Sequence, residues 1–219
     1  MRIQVITAAT RPCAGLSRFY RSCARFGFSP VVLGLNRTFN GTEDRFGFYR
    51  EWFAAPRRVE GYTHLLVVDS TDLVFGGGLE AIGAAYEASG ENILFAAERN
   101  CWPDPELAEQ YPATEYPCRF LNAGGFIGPA AAVISLCAQL PVPRENDQLT
   151  LTKLLLEGGS GIGLDRRCRV FQCLLNVGTE LDWRGDRIYN RRTQTRPLIF
   201  HGNGLADMSE VLAHPQCQT

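Results

Sequence analysis

Two aspartates stand three residues apart at the end of an apolar run. The run is HLLVV, residues 64–68, and Asp69 and Asp72 follow it in the segment DSTD. Two carboxylates at this spacing converge on one divalent cation if a tight turn forms between them, and Mg²⁺ and Mn²⁺ prefer carboxylate oxygens. The same residue types also favour an ordinary turn or a helix N-cap. The stretch alone therefore leaves a metal site and a solvated turn both open.

A second candidate site comes late in the chain, in the segment LIFHGNG. His201 directly follows an apolar run, and histidine is a common metal ligand. Gly202, Asn203 and Gly204 suit a close approach of backbone N–H groups to a phosphate. A histidine at this position could equally form a local hydrogen bond in a turn. The segment predicts either a metal and phosphate turn or an ordinary glycine-rich turn.

Three further polar positions and two aromatic ones are candidates for substrate contact. Glu98 ends the apolar run ILFAA, at the carboxyl end of a predicted strand. Asp147 and Gln148 enter a predicted helix, where they would either orient a substrate hydroxyl or cap the helix. Trp102 and Tyr111 lie in a segment rich in proline and aromatic residues. They would either stack on a sugar or hold the loop against the core.

Strands and helices are predicted to alternate along the first half of the chain. Apolar runs predict strands at 3–10, 29–36, 64–70 and 92–98, and helical periodicity predicts helices at 14–27, 43–58 and 79–90. This βαβαβαβ order predicts an α/β fold whose mostly parallel central sheet has helices on both faces. Ligands of such sheets bind beyond the carboxyl ends of the strands. The polar residues that follow the apolar runs therefore lie where a ligand is expected.

The second half of the chain is less regular. It contains a loop with one short helix, an apolar segment punctuated by glycines that passes into a helix, a further helix and two strands. In chain order these segments are 101–118, 120–140, 146–159, 167–176 and 196–204. No linker, repeat or low-complexity tract separates them, so residues 1–219 are predicted to form a single domain.

Composition argues against several classes of partner. The chain is 45% hydrophobic and 21% charged, has a net charge of -1, and its basic residues are scattered. Neither nucleic acid nor an anionic membrane surface is therefore expected as a partner. No apolar run approaches the roughly 20 residues of a membrane span, and the N-terminal residues do not resemble a signal peptide. A cytoplasmic location is expected, or a secretory compartment if the chain is a processed fragment.

The eight cysteines show no CxxC pair. A zinc site built from cysteines is therefore not expected. Without a signal peptide, reduced thiols packed as small hydrophobic groups are the default, and a few disulfides remain open.

Several segments, in order, resemble the glycosyltransferase domain of the procollagen lysyl hydroxylases and, more distantly, the collagen galactosyltransferases. They cover nearly the whole chain and include TAAT, RFYRSCARFGF, VVDSTDLVF, FAAERNCWPDPELAEQYP, RFLNAGGFIG, NDQL, LDRRCRVFQCLLN and HGNG. The dioxygenase part of that family has no counterpart in this sequence, so lysyl hydroxylation is not expected.

The resemblance implies a single GT-A-like, Rossmann-like domain that binds a UDP-sugar and Mn²⁺, with Mg²⁺ as the alternative cation. It implies that Asp69, Asp72 and His201 are the metal ligands. Residues 1–100 would form the nucleotide-binding half, and residues 101–219 the acceptor-binding half that carries the HGNG turn.

The resemblance also implies roles for individual residues. Thr7 and Thr10 would lie against the uracil and ribose, Thr71 beside the nucleotide, and Arg45 near the diphosphate, where the family has a lysine. The nucleotide-sugar pocket would be completed by Asp69, Asn122, Gly202, Asn203 and Gly204. The catalytic candidates are Asp147, Gln148 and Glu98, and Asp147 is the first choice as base or charge stabiliser. Trp102 and Tyr111 would lie on the acceptor side.

The sequence departs from the family at three places. Asn146 stands where a second carboxylate is expected, Asp207 follows HGNG in place of a basic residue, and the glycine-rich loop is shortened to NGTED at 40–44. The predicted function is Mn²⁺-dependent transfer of glucose or galactose from a UDP-sugar to a hydroxyl of a protein, glycan or small molecule. By resemblance, that acceptor is hydroxylysine or galactosyl-hydroxylysine of a collagen-like chain. The alternatives are a nucleotide-sugar-binding protein without transfer activity and a metal-dependent nucleotide-sugar hydrolase.

Overall fold

A six-stranded sheet forms the centre of the molecule. The computed structural model describes residues 1–38, 44–55, 58–140 and 146–218. Their strands are β1 (Ile3–Ala8), β2 (Val31–Leu33), β3 (His64–Val68), β4 (Leu73–Phe75), β5 (Ile93–Glu98), β6 (Phe120–Pro129), β7 (Ile162–Leu164), β8 (Phe171–Cys173), β9 (Leu181–Asp182), β10 (Tyr189–Asn190) and β11 (Ile199–His201). The central sheet has the order β2-β1-β3-β6-β5-β7. All of its strands except β6 run in the same direction, which confirms the predicted mostly parallel sheet.

Strand β6 was not predicted. The sequence of 120–140 reads as an apolar segment that passes into a helix, but its first ten residues form a strand between β3 and β5. Glycines interrupt the alternation by which a strand is recognised. They are needed because neighbouring groups lie close: a Cβ on Gly125 would stand 2.8 Å from the Phe171 ring, and one on Gly128 would stand 3.0 Å from the Asn92 carbonyl.

Helices cover both faces of the central sheet, as predicted. Helices α1 (Ala14–Arg25) and α3 (Leu79–Glu87) pack on one face, where Phe19 and Ile82 are fully buried. Helices α2 (Asp44–Phe53), α4 (Ala130–Gln139) and α5 (Asp147–Glu157) cover the other face; Tyr49, Leu136 and Leu151 are part of its core. None of the described helices is long and apolar enough to span a bilayer.

All eight cysteines are free thiols, and six of them are buried. Burial raises the pKa of the Cys23 and Cys137 thiols to about 12. These two thiols therefore act as small hydrophobic groups in the core, as the sequence predicted.

A second, three-stranded sheet lies beside the first and contains β4, β11 and β8, in that order. Strand β11 pairs antiparallel with β4 and parallel with β8. Strand β4 was also missed, because LVF directly follows the aspartate turn and reads as the end of the β3 segment. The short helix α6 (Ser209–Ala213) follows β11.

The shortened loop at 40–44 lies outside the described residues except for Asp44.

Candidate active site

The two sheets are joined by the turn that carries the two aspartates. Asp69 is the first residue after β3, and its N–H donates to the carbonyl of Gly124 on β6 (2.9 Å). The turn runs directly into β4, whose first residue Leu73 pairs with His201, the last residue of β11. This pairing brings His201 next to Asp72, although the two are far apart in sequence.

The three predicted metal ligands converge. His201 Nε2 lies 3.6 Å from Asp69 Oδ2 and 3.5 Å from Asp72 Oδ2, and the candidate ligand atoms all lie within 4.8 Å of one another. Nitrogen and oxygen ligands bind small divalent cations at about 2.0–2.2 Å, so two ligands of one cation lie up to about 4.4 Å apart. A spread of up to 4.8 Å closes on one ion with a small movement of the side chains. His201 is buried and both aspartates are partly exposed. The residues present fit a divalent cation that enters from the solvent side.

Two neighbours hold His201 in this position. A Cβ on Gly124 would stand 2.2 Å from His201 Cε1 and 2.8 Å from Asp69 Oδ2, so only glycine leaves room for the two ligands to approach. His201 Nδ1 lies 3.2 Å from Asn122 Oδ1. This contact turns Nε2 toward the aspartates, as in metal sites where a second residue orients the ligating imidazole.

Asp72 and His201 influence each other's protonation. Burial lowers the pKa of His201, but Asp72 and Asp69 outweigh this effect and the net pKa is raised. Burial raises the pKa of Asp72, but the hydrogen bond and charge of His201 outweigh it and the net pKa is lowered. Asp72 is therefore held in the ionised form that a cation requires.

Two clefts open on either side of this turn. The β6 cleft, about 420 Å³, and the β1 cleft, about 500 Å³, share Arg45, Asp69 and Asp72. The β6 cleft is further lined by Glu98, Asn100, Trp102, Asn122, Gly124, Asp147, Gln148, Leu175, His201, Asn203 and Gly204. The β1 cleft is further lined by Ala8, Ala9, Thr10, Arg11, Cys13, Ser70 and Thr71.

Glu98 organises the wall of the β6 cleft. Its Oε1 accepts from the amides of Asn122 (2.8 Å) and Gln148 (2.9 Å), and its Oε2 accepts from the amide of Asn203 (3.0 Å). All four side chains are buried. Burial raises the pKa of Glu98, although the three amide donors oppose the shift. A buried carboxylate with this many donors fixes the wall in one arrangement.

Gln148 and Asn203, both predicted to contact substrate, are engaged inside this wall. The Gln148 amide nitrogen also donates to the Trp102 carbonyl (3.0 Å), and its oxygen accepts the Ala123 N–H (2.9 Å). The Asn203 oxygen accepts the backbone N–H of Leu174 (3.0 Å). The structure shows both side chains as supports of the cleft, and direct contact with substrate stays a prediction.

Asp147 faces the β6 cleft at the first residue of α5. The helix is capped by Asn146, whose side chain accepts the Gln148 N–H (3.0 Å), so Asp147 is not needed as the cap. Asp147 instead forms an ion pair with Arg45, which also pairs with Asp69. Burial raises the pKa of Asp147 while Arg45 opposes the shift. Arg45 thus links Asp69, in the turn that carries the two aspartates, to Asp147, the candidate base.

Three sequence predictions need correction. Thr7 is fully buried in β1, which lies between β2 and β3, and it lines neither cleft, although its Oγ1 has no hydrogen-bond partner among the described residues. Tyr111 is buried and its hydroxyl bonds with Thr152 (3.2 Å), so it holds its loop against α5 and is not available to a sugar. The Gly202 N–H donates to the Asp72 carbonyl (2.7 Å) and is not free for a phosphate.

The remaining predicted residues do line a cleft. Thr10 and Thr71 border the β1 cleft, and Gly204 borders the β6 cleft with a φ of +61°. Trp102 is half-exposed at the β6 cleft. In this position the indole can stack on a bound ring, whereas Tyr111 cannot.

Ser70 was missed by sequence reasoning. It lines the β1 cleft, is 2% exposed, and its Oγ has no hydrogen-bond partner among the residues that the structure describes. Buried hydroxyls are normally satisfied, and the Thr7 Oγ1 in β1 is likewise without a partner among those residues. A ligand that reached the Ser70 oxygen would satisfy it. The only signal in the sequence is its place between the two aspartates.

Comparison with known proteins identifies the family. Residues 1–211 match the family described as "PLOD GT domain". The chain is 34% identical over 223 residues to the "Procollagen-lysine,2-oxoglutarate 5-dioxygenase" of Drosophila melanogaster, covering 94% of this chain and 31% of that protein. It is 33% identical over 219 residues to the "Multifunctional procollagen lysine hydroxylase and glycosyltransferase LH3" of Homo sapiens, covering 93% and 30%. The chain thus spans about a third of the length of these relatives.

The fold is also found in a solved structure. The crystal structure of a glycosyltransferase involved in the glycosylation of the major capsid of PBCV-1 superimposes with a TM-score of 0.56 at 11% identity, over 100% of both chains. This likeness supports the GT-A-like fold that the sequence predicted. The chain therefore belongs to the PLOD GT domain family and is a glycosyltransferase domain with a GT-A-like fold.

Proposed function

We propose that this domain transfers glucose or galactose from a UDP-sugar to a hydroxyl acceptor, with Mn²⁺ held by Asp69, Asp72 and His201. The observation that carries the proposal is the convergence of these three side chains where the two clefts meet. A nucleotide sugar has its diphosphate between the nucleoside and the sugar. A donor that spans both clefts would place this diphosphate at the junction, beside the ligands and Arg45.

The β1 cleft suits the nucleoside. Its floor is the carboxyl end of a parallel strand, at Ala8, Ala9 and Thr10, which is where nucleotides bind in open α/β sheets. Thr10 lines this cleft, where its hydroxyl can hydrogen-bond a ribose or a uracil. The buried Ser70 hydroxyl, which has no partner among the described residues, would bond to a ligand that reached it. The volume of about 500 Å³ lies within the range of pockets that bury a ligand of this size.

The β6 cleft suits the sugar and the acceptor. Glu98 and Asn122 hold its polar wall in place, Asp147 lines the cleft, and Trp102 offers a half-exposed aromatic face there. Asp147 is the candidate to accept the proton of the acceptor hydroxyl, because its raised pKa brings a carboxylate closer to the basicity that this step needs. Asn146 supplies no second carboxylate beside it.

A divalent cation at the junction would stabilise the negative charge that develops on the departing diphosphate. Arg45 adds a second positive charge from the protein and also holds Asp147. Asn122 holds the His201 ring. Mg²⁺ is the alternative cation, since it prefers the same oxygen ligands. From the resemblance to procollagen lysyl hydroxylases, the proposed acceptor is hydroxylysine or galactosyl-hydroxylysine in a collagen-like chain.

The proposal is tested by UDP release. The purified chain is incubated with UDP-glucose or UDP-galactose, with Mn²⁺ or a chelator, and with or without a hydroxylysine or galactosyl-hydroxylysine peptide. We expect release that requires both Mn²⁺ and an acceptor. Release without acceptor would instead indicate a hydrolase, and Mn²⁺-dependent binding without any release would indicate a binding protein. Either result would contradict the proposal.

A further inference from the structure

Arg45 occupies the junction of the two clefts. It is near the start of α2, and only 11% of its side chain is exposed. Its Nε donates to Asp147 Oδ2 and its Nη1 donates to Asp69 Oδ1. The other oxygen of Asp69, Oδ2, is the atom that faces His201 Nε2 at 3.6 Å. One carboxylate thus serves both the guanidinium and the candidate cation site.

This arrangement places two positive charges in competition. A guanidinium stays protonated in proteins. Here burial lowers the pKa of Arg45, but Asp69 and Asp147 outweigh that effect and raise it. A cation on Oδ2 of Asp69 would share that carboxylate with the guanidinium on Oδ1. Like charges at such short range repel strongly in a partly buried site.

We propose that Arg45 keeps the cation site weak until a nucleotide diphosphate arrives. On this account Arg45 is the counter-charge of Asp69 in the absence of a donor, and a bare cation binds poorly against it. A diphosphate at the junction draws Nη1 away from Asp69, while Nε stays on Asp147. Cation and diphosphate therefore bind together, and each raises the affinity for the other by the same factor. This inference rests on the proposed UDP-sugar site.

A purely structural role for Arg45 makes the opposite prediction. If the guanidinium only fixed the position of Asp69, its removal would loosen a ligand and weaken the binding of a bare cation. If it opposes the cation, its removal strengthens that binding. The sign of one affinity change therefore separates the two roles.

The experiment measures Mn²⁺ affinity of the full chain by calorimetry, without nucleotide and with saturating UDP. We expect Arg45→Gln to bind bare Mn²⁺ at least about tenfold more tightly than the unchanged protein, since it removes a charge in direct contact with Asp69. We expect its UDP affinity at saturating Mn²⁺ to fall at least about tenfold, since a charge-assisted contact to the diphosphate is lost. The gain in Mn²⁺ affinity that UDP produces should shrink accordingly.

Two control variants define the effect. Arg45→Lys keeps a positive charge and should leave the affinity for bare Mn²⁺ within about threefold of the unchanged protein. Arg50→Gln removes a charge from the same helix at a position where the guanidinium donates to the Leu140 carbonyl (2.7 Å), and it should change neither affinity. If Arg45→Gln fails to fold, Arg45→Gln with Asp147→Asn removes the buried pair together. That double variant should also bind bare Mn²⁺ at least about tenfold more tightly.

The outcomes separate the inference from the proposed function. Unchanged or weaker binding of bare Mn²⁺ to the Arg45→Gln variant, or to the double variant in its place, overturns the inference even if the unchanged protein binds UDP in a Mn²⁺-dependent way. An unchanged protein that binds no Mn²⁺ with or without UDP overturns the proposed function itself.

Discussion

The two clefts are similar in size but are built in different ways. The β6 cleft has a wall of buried polar side chains that bond to one another around Glu98. The β1 cleft is formed by the carboxyl end of a strand and by small residues, and its Ser70 hydroxyl has no partner among the described residues. The first wall is already satisfied, whereas the second has a polar group that a ligand would satisfy.

Because of this difference, substitutions in the two walls should affect stability and ligand binding differently. Substitutions in the β6 wall should reduce the free energy of unfolding as well as activity, because each side chain supports the others. Substitutions in the β1 wall should reduce nucleotide binding without reducing stability. The turn from Asp69 to Asp72 borders both clefts, so substitutions in this turn should weaken the binding of the nucleotide, the sugar and the cation.

Asp72→Asn should have the largest effect. It keeps the shape of a half-exposed side chain but removes the negative charge of one of the three proposed metal ligands. We expect Mn²⁺-dependent UDP affinity to fall at least about 100-fold, in line with the loss of a metal ligand or its close support, while the melting temperature changes little. Asp182→Asn, at the surface ion pair with Arg184, is the matched control and should leave the affinity unchanged. Equal affinities for the two variants would exclude Asp72 as a ligand.

Gly124→Ala tests whether the ligands need the space that this glycine leaves. The new Cβ would stand 2.2 Å from His201 Cε1, so the ring or the strand must move. We expect Mn²⁺-dependent UDP affinity to fall about 10-fold to 100-fold and the free energy of unfolding to fall by about 1–3 kcal/mol. Gly47→Ala, where nothing lies within 4 Å of the new Cβ, is the control. Normal Mn²⁺-dependent UDP binding by Gly124→Ala would show that the close packing is not required.

Glu98→Gln should destabilise the β6 wall. Three amide donors face the two carboxylate oxygens of Glu98. The side-chain NH₂ of a glutamine would replace one of these oxygens and would face at least one donor without an acceptor. We expect a loss of about 1–3 kcal/mol in the free energy of unfolding, measured by chemical denaturation. Exposed Glu80→Gln should change it by less than about 0.5 kcal/mol. A stable Glu98→Gln protein would mean that the wall is not held by this carboxylate.

The same variant has a predictable pH dependence. Burial raises the pKa of Glu98 above its ordinary 4.5. The stability linked to this group is therefore fully present below that ordinary value and is lost as the pH rises through the raised pKa. The difference in free energy of unfolding between the unchanged protein and Glu98→Gln should accordingly become smaller as the pH is raised. A difference in free energy of unfolding that grows with pH would show that the fold lowers the pKa of Glu98 instead.

Ser70→Ala should have the smallest effect on binding and should not destabilise the protein. Its buried hydroxyl has no partner among the described residues, so its removal should leave the free energy of unfolding unchanged or raise it, by up to about 1–3 kcal/mol. Loss of one hydrogen bond to the nucleotide would lower UDP affinity by about 2-fold to 12-fold. Full UDP affinity with reduced stability would place Ser70 with the structural residues of the β6 wall instead.

Much of the site could be predicted from sequence because it follows strand ends. Asp69, Glu98 and His201 each stand at the carboxyl end of an apolar run, and the resemblance joined these separate segments. Thr7 and Tyr111 were misplaced because residue type alone does not tell whether a side chain faces a cleft or the core. The Thr7 side chain is fully buried in the central strand β1, and the Tyr111 hydroxyl forms a hydrogen bond with Thr152.

The missed elements are those held by tertiary contacts. The β6 strand contains glycines where neighbouring side chains and backbone approach closely, and this need is not visible in a local pattern. Strand β4 is three residues long and owes its existence to pairing with β11, which lies more than a hundred residues later. The dual pairing of Arg45 likewise depends on bringing α2 next to α5 and β3.

We propose that one cation site, formed by Asp69, Asp72 and His201, joins the two clefts. It is tested most directly by a crystal structure with Mn²⁺ and UDP, in which anomalous scattering locates the metal. We expect a Mn²⁺ peak within bonding distance of all three side chains, with the uridine in the β1 cleft and the diphosphate on the metal. A Mn²⁺ peak away from His201, or a uridine in the β6 cleft, would contradict it.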